Sequence, residues 1–182
     1  MKVVTTSLPG VLLLEPTAHR DERGFFVRTF DAATAREAGL DHAAFVQDSQ
    51  SRSRLGALRG LHLRRGSGEA KLVRCASGAI YDVVVDLRPA SATFRRWEAF
   101  RLDDTDHRVL YVPRGFGHGW QALTDPADVC YRIDAEHDPS EDVTVAYDDA
   151  ELGVTWPLPV SVMSERDRTA PALSEVLPLL TG

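Results

Sequence analysis

From Ala44 onward the chain alternates short apolar runs with clusters of glycine, proline and aspartate. The runs are Phe45 to Ser49, Leu58 to Leu63, Lys71 to Cys75, Ile80 to Leu87, Arg96 to Leu102, Val109 to Val112, Gly117 to Leu123 and Val129 to Ile133. Their length and their β-branched and aromatic content predict strands. Upstream, residues 2 to 6 and 11 to 15 read as two strands around the turn pair Pro9-Gly10. A third run, Phe25 to Phe30, follows the turn Asp21-Glu22-Arg23-Gly24, and alternation puts Phe26 and Arg28 on one of its faces. Asp31 is suited to cap a short helix, Ala32 to Glu37, that stops at Gly39. At the other end Trp156-Pro157-Leu158 reads as a strand end that docks on the body. Ser164-Glu165-Arg166-Asp167 leads into a helix around Ala172 to Leu179, which Pro178 is expected to cut short.

Many short strands with almost no helix between them argue for an antiparallel sandwich or barrel and against βαβ winding. The fold expected from the pattern is all-β with a short N-terminal helix and a C-terminal helix, and a jelly-roll barrel satisfies it. With 182 residues the chain suits one domain, 1–182, with a sizeable core. No linker, repeat or low-complexity tract interrupts it.

Charge narrows the choice of partner. A formal net charge of -6 opposes sequence-independent nucleic-acid binding. It leaves room for a phosphorylated ligand, because Arg23, Arg28, Arg59, Arg64 and Arg65 gather in the first half. Two cysteines, Cys75 and Cys130, make no disulfide framework and are expected reduced and buried, as in a cytoplasm. The apolar run Val11 to Leu14 is broken by Glu15 and Pro16, too short for a signal core or a membrane span.

Chemistry concentrates between Arg59 and Arg88. His62, Lys71 and Asp82 fall on successive strand-like segments with glycine-bearing turns between them, so they are able to converge inside one sheet layer. Each alone fits an ordinary role: a core histidine, a snorkelling lysine, a strand-edge charge. Together, charges in segments that read as buried strand call for pairing or use. A further cluster, Pro113-Arg114-Gly115-Phe116-Gly117-His118, resembles the second signature motif of the cupins, a jelly-roll superfamily. The first cupin motif of metal-binding members has two histidines one residue apart; here His62-Leu63-Arg64 has one imidazole. The expectation is therefore no metal and no cofactor. Proton transfer remains, with histidine as base, lysine steadying an enolate oxygen and a tyrosine, Tyr131, as general acid. Tyr131 also fits a half-buried core aromatic.

Taken in order, Asp21-Glu22-Arg23-Gly24-Phe25-Phe26, Phe45 to Ser51, Arg59-Gly60-Leu61-His62, Lys71-Leu72-Val73, Asp82 to Arg88, Pro113 to Trp120, Tyr131 and Ser164 to Asp167 resemble the dTDP-4-dehydrorhamnose 3,5-epimerase family across nearly the whole chain. The resemblance implies a metal-free cupin acting on a nucleotide-linked 4-keto-6-deoxyhexose. His62 matches the base, Asp167 the aspartate that orients it, Lys71 the residue at the enolate oxygen and Tyr131 the acid on the opposite face. Asp82 is expected as the lysine's companion. Arg23, Gln47, Arg59 and His118 match positions that hold phosphates and sugar, and Phe26 an aromatic that packs on the base. A homodimer is implied, with Phe26 and Arg28 reaching the neighbour's site and the N-terminal strands covering its sheet edges.

Four departures bear on substrate choice. Arg28 stands where the family commonly has an acidic residue, and Ser49 where it has asparagine. Glu136-His137 replaces an aromatic pair, and the turn between His62 and Lys71 is one residue short. They leave open C3, C5 or both as the inverted centre, and a second class of function: a cupin that binds a metabolite without turnover or moves a proton on another ligand.

Overall fold

The computed structural model describes residues 1–180. Its strands are β1 (Lys2–Thr5), β2 (Leu12–Glu15), β3 (Ala18–Asp21), β4 (Gly24–Val27), β5 (Gln47–Ser53), β6 (Leu58–Arg64), β7 (Lys71–Ser77), β8 (Ala79–Asp86), β9 (Trp97–Asp103), β10 (Val109–Val112), β11 (Phe116–Ala122), β12 (Ala127–Ile133) and β13 (Asp142–Thr144). Three helices are α1 (Ala32–Glu37), α2 (Glu165–Arg168) and α3 (Leu173–Leu180).

The strands build a six-stranded sheet ordered β1-β2-β10-β7-β12-β5 and a five-stranded sheet ordered β13-β6-β11-β8-β9. A separate hairpin joins β3 to β4. All pairing between these strands is antiparallel, as expected for the predicted all-β jelly roll. Neighbours in the sheets are often distant in sequence, which is how the chain crosses repeatedly between the two layers. One apolar cluster, including Leu110, Val73, Ile80, Val84, Trp120 and Val129, fills the space between the sheets. A second, including Leu61, Val83, Val85, Leu173 and Val176, lies on the other face of the five-stranded sheet, under α3. Strand β8 supplies both clusters by alternation, Val84 inward and Val83 and Val85 outward.

Strand boundaries follow the apolar runs to within a few residues. The differences have local causes. The run Phe25 to Phe30 keeps strand form only to Val27, where the β3 partner ends at Ala18. Strand β5 starts at Gln47 rather than Phe45, because Phe45 packs on Phe30, with ring centroids 5.9 Å apart. Strands β3 and β13 are too short or too polar to show a periodic signal. The segment around Trp156 is not a strand; it is fastened by side chains, Trp156 Nε1 donating to Tyr147 O at 2.9 Å and Gln121 bonding both Leu158 N at 3.0 Å and Leu158 O at 2.9 Å. Helix α3 runs through Pro178 instead of ending before it. Leu173 and Val176 ahead of the proline and Leu180 beyond it all pack on the second cluster, so tertiary contact outweighs the lost backbone bond. Helix α1 is capped as expected: Asp31 Oδ1 accepts from Thr34 N at 2.9 Å. Both cysteines are free; Cys75 is buried as expected, but Cys130 is only half-buried. Strand β2 pairs with β10 of its own chain, leaving β1 as the sheet edge.

Candidate active site

The polar residues of the six-stranded sheet meet on one face because of register. Ile133 lies opposite both Gln47 and Lys71, and Tyr131, two residues back, lies opposite Ser49 and Val73. A period of two then aims Gln47, Ser49, Lys71 and Tyr131 the same way. On the five-stranded sheet His62 pairs with His118, whereas Trp120 pairs with Arg59. Two residues on β6, Gly60 and Leu61, therefore stand against one on β11, Gly119, a bulge that turns Arg59 and His62 to the same side despite their odd spacing. Glycine makes the bulge possible. Gly60 has φ +132°, and a Cβ there would sit 2.5 Å from Gly119 Cα and 3.0 Å from His118 O.

These two walls enclose a cavity of about 300 Å³ lined by Gln47, Ser49, Arg59, His62, Lys71, His118 and Tyr131, among others. Seven of the twelve residues expected at the site are thus brought together. Asp82 and Asp167 sit behind the walls, 0% and 3% exposed. Arg23, Phe26 and Arg28 do not line this cavity. Phe26 and Arg28 border a separate hollow with Met1 and His19, and Phe26 is 66% exposed. Arg23 pairs with Asp21 at the exposed tip of the β3–β4 hairpin.

His62 is half-buried, and its Nε2 lies 2.6 Å from Asp167 Oδ1. Asp167 is delivered by α2, whose N-cap Ser164 accepts from Asp167 N at 3.1 Å. Its other oxygen accepts from Gly60 N at 3.4 Å, tying the helix to the bulge. Burial works to raise the Asp167 pKa, but the hydrogen bond and charge of His62, with Ser164 and the Gly60 N–H, hold it below the usual carboxylate range. A carboxylate on Nε2 leaves Nδ1 as the ring's other nitrogen.

His118, alongside, has a different setting. Its Nε2 lies 3.0 Å from both oxygens of Asp82, and both side chains are sealed off. Desolvation pushes the Asp82 pKa up, against the opposing pull of His118 and Lys71.

Asp82 is not the contact partner expected for Lys71. The lysine Nζ is 2.8 Å from Glu69 Oε1, and Glu69 Oε2 is 3.2 Å from Arg64. Both Glu69 and Arg64 line the cavity; Arg64 is expected from sequence only among the arginines suited to a phosphorylated ligand, and Glu69 escapes sequence reasoning because the turn that carries it has no strand period. The Tyr131 oxygen accepts from Trp120 Nε1 at 2.6 Å, so the phenol proton is not spent on the indole. Burial pushes the Tyr131 pKa up to about 12. Among the described residues no group of three or more His, Cys, Asp or Glu is arranged to hold a metal ion, and no helix is long and apolar enough to cross a membrane.

A jelly roll whose inter-sheet cavity carries a His–Asp couple, a buried lysine and a protonated phenol is a cupin furnished for acid–base chemistry. The family model described as dTDP-4-dehydrorhamnose 3,5-epimerase matches residues 5–175. This chain belongs to that family. It is 41% identical over 177 residues to the dTDP-4-dehydrorhamnose 3,5-epimerase of Methanothermobacter thermautotrophicus, covering 96% of this chain and 95% of the relative. Its fold matches an epimerase of Legionella pneumophila solved with dTDP-4-keto-L-rhamnose, with TM-score 0.94 and 35% identity over 98% of this chain and 96% of that one. It also matches a 3′-monoepimerase of Streptomyces bikiniensis solved with dTDP-quinovose, with TM-score 0.90 and 35% identity over 96% and 90%.

Proposed function

We propose that this protein is a sugar-nucleotide epimerase that inverts C3, C5 or both centres of a dTDP-linked 4-keto-6-deoxyhexose, in rhamnose or other deoxysugar biosynthesis. The observation that carries the reading is the His62–Asp167 couple, open to a cavity whose opposite sheet contributes Lys71 and Tyr131. The keto group acidifies the C–H bonds on both neighbouring carbons. His62 takes a proton from one of them, and the electron pair left behind moves into the C4 carbonyl to give an enolate. Asp167, held ionised, stabilises the imidazolium that forms. Lys71 faces the enolate oxygen with its positive charge. The enolate then collapses, and the Tyr131 O–H proton goes to the same carbon from the other face, leaving a tyrosinate that keeps the Trp120 N–H bond. Solvent returns a proton to Tyr131 and removes one from His62, so the step is a net isomerisation.

Arg59 and His118, with Gln47 and Ser49, are assigned to the phosphates and the sugar. Arg23, Phe26 and Arg28 are assigned to the cavity of a second copy in a homodimer; their exposure outside their own cavity supports this. The working unit is one domain over 1–182, acting in a reducing cytoplasm with both thiols free.

The test is deuterium incorporation from D2O into a dTDP-4-keto-6-deoxyglucose supplied to the enzyme, read at C3 and C5 by NMR. Loading at either carbon supports the reading, and absence of exchange across a panel of 4-keto sugar nucleotides overturns it. Mixed dimers of Phe26→Ala chains with His62→Ala chains test the shared site. They are expected to regain activity that neither parent has, and lack of recovery overturns the sharing.

A further inference from the structure

Beside Lys71, the cavity wall carries two further charges, Glu69 and Arg64, that no step above uses. Lys71 is 9% exposed at its side chain, Glu69 13% and Arg64 4%. Burying any one of these alone is costly, so their arrangement has to be accounted for together. Glu69 spends one carboxylate oxygen on Lys71 at 2.8 Å and the other on Arg64 at 3.2 Å. Arg64 is in turn anchored by its Nη1, which donates to Glu136 O at 2.7 Å, while its Nε faces the Asp142 carboxylate at 3.8 Å, beyond hydrogen-bond reach. Asp142 meets Arg166 at 3.2 Å, on the same short helix as Asp167.

We infer that Glu69, clamped by Arg64, is a positioning residue that fixes the Lys71 ammonium in the cavity and keeps it facing the 4-keto oxygen. The inference rests on the assignment of Lys71 to that oxygen. A lysine stem has four rotatable carbons' worth of freedom, and a single strong acceptor on a rigid neighbour removes most of it. The ammonium has donors to spare, so one bond to Glu69 leaves others for the substrate. Arg64 matters for charge as well as geometry. A Lys71–Glu69 pair alone would present no net charge to a developing enolate, whereas the Arg64–Glu69–Lys71 trio keeps a single net positive charge at the wall. Burial works to raise the Glu69 pKa, yet Lys71 and Arg64 hold it below its ordinary value, so the clamp is ionised at neutral pH. Asp82 contributes field but no contact.

The experiment compares D2O exchange kinetics of wild type, Glu69→Gln, Lys71→Met and the double variant on the same 4-keto sugar nucleotide. Glu69→Gln is expected to lower kcat by about 10- to 100-fold while KM moves by less than about threefold. In the Lys71→Met background the same change should alter kcat by less than about twofold, because Glu69 acts through the lysine. Glu69→Asp keeps the charge and is expected to lose less than Glu69→Gln; it replaces that variant should the glutamine chain not fold. An unchanged kcat in folded Glu69→Gln overturns the role, and so does an equal loss with and without Lys71. Wild type that exchanges nothing overturns the reaction and this role together, whereas exchange unaffected by Glu69→Gln overturns the role alone.

Discussion

Two histidine–aspartate couples stand side by side on the five-stranded sheet, since His62 and His118 are direct partners in the β6–β11 register. Their chemistry is the same and their settings are opposite. His62 keeps 38% of its side chain exposed, and its aspartate arrives from a helix 105 residues away with a Gly60 N–H as a further donor. His118 is 5% exposed and its aspartate, Asp82, comes from the adjacent strand, where among the described residues its side chain bonds the histidine alone. The hydrogen bonds win over desolvation at Asp167 and lose to it at Asp82, so the two carboxyl groups shift in opposite directions. Burial and donor count, rather than residue identity, separate the couple proposed for acid–base work from the one whose histidine is proposed to meet the substrate.

Removing each imidazole breaks that comparison most sharply. His62→Ala should cut deuterium exchange by about 10³-fold with nucleotide affinity little changed, because the base is lost and the phosphate grip is not. Exchange that survives would put the base elsewhere. Asp167→Asn comes next, with a loss of about 10²-fold in kcat, since the amide neither fixes the tautomer nor stabilises the imidazolium. A steady-state comparison of kcat and KM checks it, and a change confined to KM would contradict the orienting role.

The carboxyl shifts sharpen the contrast through stability. Asp167, with a depressed pKa, stabilises the fold above the ordinary carboxylate range, and the contribution is lost as pH falls through the folded-state pKa. Asp82, with a raised pKa, contributes below the ordinary range and loses its contribution as pH rises through the folded-state value. The Tm difference between wild type and Asp167→Asn should therefore grow from acid to neutral pH, and that for Asp82→Asn should shrink. Parallel trends in the two melting series would contradict the opposite shifts. The smallest effect is expected from Ser164→Ala. Loss of the α2 cap should cost about 1 kcal/mol, a fall of about 2–4 °C in Tm, with a modest drop in kcat through Asp167.

Much of this was readable before folding. Lys71 and Tyr131 lie in runs whose apolar and β-branched content marks them as strands, and Gln47 follows the apolar pair Phe45-Val46, so their common face follows once the register is known. Glu69 did not show, because a turn has no period and its partners come from two different segments. The same holds for β13 and α2, each shorter than the window a periodic signal needs. Pro178 misleads for the converse reason: a local breaker was overruled by apolar anchors on both sides.

The chain's own pattern thus determined the strands, the turns, the jelly-roll class and which polar residues accompany the apolar ones, because these depend on neighbours a few residues apart. Tertiary structure alone decided which histidine stays exposed and which is sealed, that Lys71 meets Glu69 and not Asp82, and that a Gly60 bulge turns Arg59 and His62 together. Those outcomes depend on desolvation and on contacts between distant segments, and no local sequence signal carries either.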